Sequence, residues 1–211
     1  MAQIVILNGP SRSGKTSIAK VIQDTFDGVW MNLGMDAHIA MTPARYRPGV
    51  GLRPHRTTTP LREPGRVSLQ ELEDVVPSLY AALYESVAAH ARLGVNVVTD
   101  IYHHDFYSRS LGILADCARR LDGLTVLFVG VLCPTDEIWR RREATWGQVR
   151  ETVDSGVRLA VELHQEAARS LPYDLELDTS KTTPEASAEA IRLRLLEGPP
   201  GSVLARIARD R

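Results

Sequence analysis

A phosphate-binding loop stands near the start of the chain, directly after an apolar run at residues 4–7. Its eight residues fit the pattern G-x-x-x-x-G-K-[ST], and they are Gly9, Pro10, Ser11, Arg12, Ser13, Gly14, Lys15 and Thr16. Glycines let backbone N–H groups approach a polyphosphate closely. Lys15 would contact the β- and γ-phosphates, and the Thr16 hydroxyl would hold Mg²⁺. We therefore expect this loop and the adjoining Ser17 to bind ATP.

Two carboxylates follow predicted strands. Asp36 comes shortly after the strand predicted at Val29–Leu33, and it could accept a proton from an acceptor hydroxyl as that oxygen attacks the γ-phosphate. Its alternative role is to cap a helix at residues 37–41. Asp100 ends the strand predicted at Val95–Asp100 and is typical of a Walker B carboxylate that helps bind Mg²⁺. The alternative for Asp100 is an acidic turn residue.

An arginine-rich stretch at residues 140–150 lies where small kinases carry a lid. A closing lid brings guanidinium groups onto the transferring phosphoryl and excludes water. Arg142 and Arg150 are the predicted catalytic arginines, with a solvated basic helix face as the alternative. His103 and His104 fit exposed loop histidines better than ligands, and His164 lies on an apolar stripe that predicts a packed core histidine.

Strands and helices alternate along the chain. This predicts an α/β P-loop NTPase sandwich of three layers, in which helices cover both faces of a five-stranded, mainly parallel sheet. Further strands are predicted at 124–131 and 174–178, and helices at 16–26, 105–121, 135–144, 150–171 and 184–196. A capping-box spacing of Ser68 and Glu71 starts another helix, in which Pro77 should cause a kink or an early end.

Composition agrees with one intracellular catalytic unit. The chain has 211 residues, a formal net charge of −1 and two cysteines, Cys117 and Cys133, outside any metal-like cluster. We expect one kinase domain at residues 1–197, a tail at 198–211 and a cytoplasmic location. The charge makes nucleic acid an unlikely partner, no segment predicts membrane insertion, and a homo-oligomer stays possible.

The motifs together resemble the chloramphenicol phosphotransferase family over about residues 3–195. The resemblance rests on Ile-Leu-Asn-Gly at residues 6–9, on Gly34-Met35-Asp36, and on Tyr-Asp-x-Glu-x-Asp-Thr at residues 173–179. It implies an adenylate-kinase-like enzyme that moves the γ-phosphoryl of ATP to a primary hydroxyl of the antibiotic, as self-resistance. It also implies that Asp36 is the general base and that Lys15 and Thr16 contact nucleotide and Mg²⁺.

The substrate side departs from that family. Residues 43–66 contain six arginines and five prolines against a single acidic residue, Glu63. This basic insertion suits a larger or negatively charged acceptor, or else is a solvent-exposed loop. The lid also reads Gly147-Gln148-Val149-Arg150 where a tighter Gly-Asp-Arg sequence is expected.

We therefore interpret the chain as an ATP- and Mg²⁺-dependent O-phosphotransferase for a small hydroxylated molecule, with an antibiotic as a plausible acceptor. A metabolic nucleoside or nucleotide kinase would use the same loop, base and lid. A non-catalytic ATP-dependent switch would bind nucleotide without transfer. A nucleic-acid end kinase would show strongly salt-dependent binding to oligonucleotides.

Overall fold

The sheet has five parallel strands in the order β2-β3-β1-β4-β5. The computed structural model describes residues 2–47, 67–105, 107–198 and 201–209. The strands are β1 (Gln3–Asn8), β2 (Trp30–Asn32), β3 (Asn96–Ile101), β4 (Thr125–Leu132) and β5 (Leu175–Asp178). Because β1 lies at the centre, the loop that follows it has β2 and β3 on one side and β4 and β5 on the other.

Eight α-helices connect and cover these strands within the described residues. They are α1 (Lys15–Thr25), α2 (Met35–Met41), α3 (Leu69–Arg92), α4 (Ile113–Arg120), α5 (Thr135–Trp146), α6 (Ser155–Ser170), α7 (Pro184–Glu197) and α8 (Val203–Ile207). A short 3₁₀ turn lies at Ala44–Tyr46. None of the described helices is long and apolar enough to cross a membrane. Most of the basic insertion, residues 48–66, lies outside the described part of the chain.

Alternate residues of the strands pack on opposite faces of the sheet. Ile4 and Ile6 of β1 join a core with helices α3, α4 and α8, whereas Val5 and Leu7 join a second core with α1 and α7. All four side chains are fully buried. Strands that are buried on both faces read as continuous apolar runs, which is the pattern of a parallel sheet between helical layers. The predicted three-layer α/β fold is confirmed.

Three predicted helices differ from the structure, and the one predicted at 150–171 begins only at Ser155. Ser68 caps the N-terminus of α3 and forms the predicted capping box with Glu71, but the helix continues through Pro77 to Arg92. Its buried face, which includes Val76, Tyr80 and Tyr84, packs on the sheet and can outweigh the roughly 3 kcal/mol cost of an interior proline. The helix predicted from residue 105 begins only at Ile113.

A buried hydrogen-bond network holds the ends of the central strands together. The Asn8 Oδ1 atom accepts from the His103 backbone N–H at 2.7 Å, and Asn8 Nδ2 donates to Tyr173 Oη at 2.8 Å. Tyr173 Oη in turn donates to the Ala168 carbonyl at 2.6 Å. The residue just before the phosphate loop is thus fixed to the segment after β3 and to the end of α6.

Candidate active site

The phosphate-binding loop follows β1 and caps the start of α1. Gly14 is the N-cap residue, with φ of 100°, a left-handed conformation that favours glycine. Arg12 also has a positive φ, 68°, and it is the one non-glycine residue in the described ranges that does. Helix α1 therefore begins directly at the end of this loop, and the unpaired backbone N–H groups of a helix N-terminus suit an anion.

Lys15 lies over this loop in a partly exposed position. Its Nζ donates to the carbonyl oxygens of Gly9 at 2.7 Å and of Pro10 at 2.9 Å. Desolvation lowers the pKa of Lys15 to about 8, and the negative charges of Asp100 and Asp36 partly oppose that shift. The ammonium therefore contacts carbonyl oxygens of the phosphate loop and lies near two carboxylates.

ATP binding should take up a proton at alkaline pH. Above about pH 8 the Lys15 amine is mostly neutral in the free protein, whereas a polyphosphate favours the charged form, so binding must restore the proton. Calorimetric titrations at about pH 9, in buffers of different ionisation enthalpy, should show uptake of close to one proton. The variant Lys15→Met should lose this uptake and the exposed Lys20→Met should keep it, and equal uptake in all three proteins would contradict the assignment.

Thr16 and Asp100 form an oxygen pair at the base of the site. Thr16 Oγ1 donates to Asp100 Oδ2 at 2.6 Å, and Asp100 is buried. Mg²⁺ binds oxygen ligands at about 2.0–2.1 Å and commonly takes one or two protein oxygens together with phosphates and waters. Two hard oxygens held at this separation beside a phosphate loop fit that ion.

Gly34 explains how Asp100 reaches this position. A Cβ atom on Gly34 would lie 1.9 Å from Asp100 Oδ1, far inside van der Waals contact. Gly34 is also the N-cap of α2, so the turn after β2 passes directly against the carboxylate at the end of β3. The glycine of the Gly34-Met35-Asp36 motif thereby leaves room for the predicted magnesium ligand.

Asp36 lies in the first turn of α2, facing the site. The helix begins at Met35, two residues earlier than the capping alternative requires, and no side chain caps its N-terminus. The capping interpretation of Asp36 is therefore wrong. Its exposed carboxylate lines the same cavity as Lys15 and is close enough to raise the pKa of that lysine. The candidate general base and the phosphate-binding lysine thus line the same cavity.

The cavity has a volume of about 560 Å³ and brings together most of the predicted site residues. Six loop residues line it together with Asp36 and Asp100, and they are Ser11, Arg12, Gly14, Lys15, Thr16 and Ser17. Gly9, Pro10 and Ser13 do not line it and form the inner side of the loop, where Ser13 N donates to Pro10 O at 3.2 Å. Of the nine predicted loop residues, six therefore line the cavity and three support the loop from behind.

The two predicted lid arginines lie elsewhere. Arg142 is buried against Trp139 and Trp146 and donates to Gln148 Oε1 at 2.6 Å, and Arg150 pairs with the exposed Asp136 at 3.0 Å. Neither lines the cavity. Burial, and then the nearby Arg12 cation, lower the pKa of Arg142. In this structure Arg142 supports the end of α5 rather than facing the phosphate loop.

Arg141, rather than the predicted Arg142, contacts the phosphate loop. Its guanidinium donates to the Arg12 carbonyl at 3.2 Å and to the Thr179 carbonyl at 2.7 Å, and it pairs with Glu137 at 2.8 Å. Thr179 Oγ1 donates to the Ser13 carbonyl at 2.6 Å. Helix α5 and the segment after β5 are thereby tied to the phosphate loop. Thr179 ends the Tyr-Asp-x-Glu-x-Asp-Thr motif of the family resemblance, from which no role of this residue was predicted.

Trp146 closes the cavity at the end of α5. The Arg12 guanidinium carbon lies 4.4 Å from the centre of the Trp146 ring, and the Arg142 guanidinium carbon lies 4.9 Å from it. Trp146 is 48% exposed, whereas Trp30 and Trp139 are buried. The ring therefore links the phosphate loop to the predicted lid through a cation–π contact.

Tryptophan fluorescence should report nucleotide binding. Polyphosphate attracts the Arg12 guanidinium, and any shift of that cation changes the environment of the half-exposed Trp146 ring. Addition of MgATP should change the emission of the protein in a saturable manner, and Trp146→Phe should remove most of the change. Full retention of the signal in Trp146→Phe would contradict this contact, and Trp139→Phe serves as the control.

The histidines are not placed as expected. His103 is buried rather than loop-exposed, its Nε2 lies 2.7 Å from Tyr84 Oη, and desolvation lowers its pKa to about 3. His104 is half-buried, and its pKa is lowered to about 3 by desolvation and then by His164 and His103. His164 lines the cavity instead of packing in the core. The segment after β3 turns inward because Asn8 and Tyr84 supply partners for His103.

Solved structures with this fold include several small-molecule kinases. The Deinococcus radiodurans tunicamycin resistance protein superposes with a TM-score of 0.57 at 16% identity, covering 92% of this chain and 96% of that one. A sugar kinase from Janibacter sp. HTCC2649 gives 0.58 at 18% identity with full coverage of both chains. Thymidylate kinase from Candida albicans gives 0.57 at 14% identity, with 93% and 91% covered. These similarities show the P-loop kinase fold.

Sequence comparison identifies the family. Proteins from two strains of Mycobacterium tuberculosis, both named as proposed O-phosphotransferases, are 30% identical to this chain over 189 residues, covering 85% of it and 76% of each relative. The family model described as chloramphenicol phosphotransferase-like protein matches residues 2–196. With the phosphate loop, Asp36 and Asp100 in one cavity of a P-loop kinase fold, the chain belongs to the chloramphenicol phosphotransferase-like family.

Proposed function

We propose that the protein is an ATP-dependent O-phosphotransferase that moves the γ-phosphoryl group to a hydroxyl of a small molecule. The observation that carries the proposal is the meeting of Asp36 with Lys15 and the Thr16–Asp100 pair in one cavity. A nucleotide-binding switch needs the phosphate loop and the magnesium ligands. A carboxylate on the acceptor side is what transfer to a hydroxyl needs in addition.

The nucleotide would occupy the half of the cavity beside β4 and β5. Loop amides and Lys15 would hold its phosphates, and Arg12 and Arg141 would add positive charge from two sides of the loop. Thr182 and Pro184 also line the cavity and would face the adenine base of ATP. Arg142 would act by keeping Trp146 and the end of α5 in place. The catalytic role of Arg150 stays a prediction, and it would require movement of the lid.

Thr16 and Asp100 would hold Mg²⁺, directly or through water. The ion neutralises charge on the β- and γ-phosphates when it is bound. The hydrogen bond between Thr16 Oγ1 and Asp100 Oδ2 orients both oxygens before any metal arrives. Asp100 is buried, and the turn at Gly34 passes close to its carboxylate.

Asp36 would act as the general base on the acceptor side. As the acceptor oxygen forms its bond to the γ-phosphorus, the bond from that phosphorus to the bridging oxygen of ADP breaks, and the hydroxyl proton passes to the Asp36 carboxylate. Lys15 lies close enough to sense this carboxylate electrostatically. In the transfer, Asp36 would act on the acceptor hydroxyl and Lys15 on the phosphates of ATP.

An antibiotic is the acceptor class that the family description favours, and chloramphenicol is the first compound to test. The fold is also that of a protein named for tunicamycin resistance and of sugar kinases, so other hydroxylated compounds belong in the same panel. An enzyme that modifies such a compound with ATP would confer resistance by removing the free hydroxyl.

The test is an acceptor panel read by mass spectrometry. Purified protein, ATP and Mg²⁺ are incubated separately with chloramphenicol, other hydroxylated antibiotics, sugars, nucleosides and nucleoside monophosphates. The proposal predicts the mass of one added phosphoryl group on a non-nucleotide alcohol, and no addition when Mg²⁺ is chelated. Phosphorylation of nucleosides or nucleotides alone would establish a metabolic kinase instead. Tight ATP binding without transfer to any compound would establish a nucleotide-dependent switch.

A further inference from the structure

Helix α8 lies beyond residue 196, where the family match ends, yet it packs into the core of the protein. Val203 and Leu204 are 2% and 4% exposed, and they join the core that β1, β3 and β4 form with α3 and α4. Ile207 packs against the edge of the same core. The segment 201–207, which we call the strap, therefore completes one covered face of the sheet.

The carboxylate of Asp174 fixes the start of the strap. Its Oδ1 atom accepts from the backbone N–H groups of Ser202 at 2.7 Å and of Val203 at 3.1 Å. Its Oδ2 atom accepts from the N–H group of Phe128 in β4 at 3.0 Å. Gly201 permits this close approach, because a Cβ atom there would lie 2.1 Å from Asp174 Oδ2. One side chain thus ties the strap to β4.

The residue before Asp174 reaches the base of the phosphate loop. The ring of Tyr173 lies against the backbone of Gly130 in β4, where a Cβ atom would come within 2.5 Å of the ring. Its hydroxyl accepts from Asn8 Nδ2 at 2.8 Å and donates to the Ala168 carbonyl at 2.6 Å. Asn8 directly precedes the phosphate loop. Two adjacent residues therefore contact the strap and the strand that carries this loop.

The backbone between these contacts is short. Residues 171–174 alone connect the end of α6 to the start of β5. Asp174 N donates to the Phe128 carbonyl at 2.9 Å, so both the backbone and the side chain of Asp174 are bonded to the same residue of β4. Because the link is so short, a shift of Asp174 would also shift Tyr173 and its hydrogen bond to Asn8.

We propose that the strap positions the phosphate loop, and that Asp174 is the positioning residue, which acts through Tyr173 and Asn8. None of these three residues lines the cavity, so their effect on nucleotide binding would be exerted through the fold and not by contact with ATP. The inference goes beyond the proposed function and rests on it only in taking ATP as the ligand of the loop.

Two variants would release the strap by independent routes. Asp174→Ala removes both acceptor oxygens, whereas Gly201→Ala places a methyl group against the carboxylate. Each should speed hydrogen exchange of the Ser202 and Val203 amides and raise the Kd for ATP about three- to tenfold, the range expected for one hydrogen bond. Asp122→Ala, in the exposed turn after α4, is the matched control and should change neither quantity.

Further variants separate positioning from a general loss of stability. Val87→Ala truncates a fully buried side chain of α3 in the same core, and it should lower the thermal midpoint without changing the Kd for ATP. Tyr173→Phe should raise that Kd by a similar factor to Asp174→Ala but leave exchange in α8 unchanged. Since the two residues act in series, the double variant should bind ATP no more weakly than Tyr173→Phe alone.

Additive losses of ATP affinity in the double variant would overturn the proposal. So would full ATP affinity in Asp174→Ala and Gly201→Ala, or unchanged exchange of the strap amides in both. If the unaltered protein binds no ATP, the proposed function is at fault. Hydrogen exchange of the phosphate-loop amides without nucleotide then decides the inference, which requires faster exchange in both strap variants and is overturned by unchanged exchange.

Discussion

Replacement of Asp36 by asparagine should lower the rate of phosphoryl transfer by about 10²–10⁴-fold, which is the usual contribution of a positioned general base. The amide has nearly the shape of the carboxylate but cannot accept the hydroxyl proton. Asp36 is exposed to the cavity and makes no helix cap, so the fold should tolerate the change. ATP affinity should be retained or increased, because one negative charge near Lys15 is removed.

Steady-state rates and ATP titrations of the same preparations measure both effects. The matched control is Asp122→Asn, an exposed aspartate in the turn after α4 that does not line the cavity. It should leave both quantities unchanged. An Asp36→Asn enzyme with full activity would exclude the general-base role, and loss of ATP binding together with activity would point to a structural role instead.

Replacement of Gly34 by alanine should impair magnesium-dependent transfer by about 10²-fold or more, equivalent to about 3 kcal/mol of lost charge stabilisation. The backbone of Gly34 has an ordinary φ of −67°, so alanine causes no backbone strain there. Its methyl carbon would instead lie 1.9 Å from Asp100 Oδ1, far too close for two unbonded atoms. The carboxylate must move, and with it the predicted ligand pair of Thr16 and Asp100.

The dependence of the rate on Mg²⁺ concentration measures this effect, and the variant should need more Mg²⁺ for half-maximal activity. Gly94→Ala is the control, because Gly94 has φ of 86° and open space around it, after the end of α3. That substitution should cost about 1 kcal/mol of stability through backbone strain and leave the magnesium dependence unaltered. Normal magnesium dependence in Gly34→Ala would contradict the placement of Asp100 in the metal site.

The architecture could be predicted because its signals are local. Apolar runs such as Ile4–Leu7 predict strands buried on both faces, and the spacing of Ser68 and Glu71 predicts a helix start. The alternation of strands and helices then leaves few topologies. Pro77 was misleading because propensity is a local quantity, whereas the burial of α3 against the sheet depends on residues far along the chain.

The site could be predicted only where a motif fixes the geometry. The phosphate loop follows β1, Asp36 comes shortly after β2 and Asp100 stands near the end of β3, and these strand ends must lie at the same edge of the sheet. The choice between Arg141 and Arg142 depends on the rotation of α5, since successive helical residues point about 100° apart. His103 and His164 depend on contacts with Asn8, Tyr84 and Tyr102, which no sequence spacing reveals.

The most direct measurement of the central claim is the fate of the labelled phosphorus of ATP. Protein, Mg²⁺ and the acceptor found in the panel are incubated with ATP labelled at the γ-phosphate and, in parallel, with ATP labelled at the α-phosphate. We predict that the γ-label alone appears in an acid-stable phosphomonoester of the acceptor, and that Asp36→Asn slows its appearance. Release of the γ-label only as inorganic phosphate, whatever alcohol is present, would contradict a phosphotransferase.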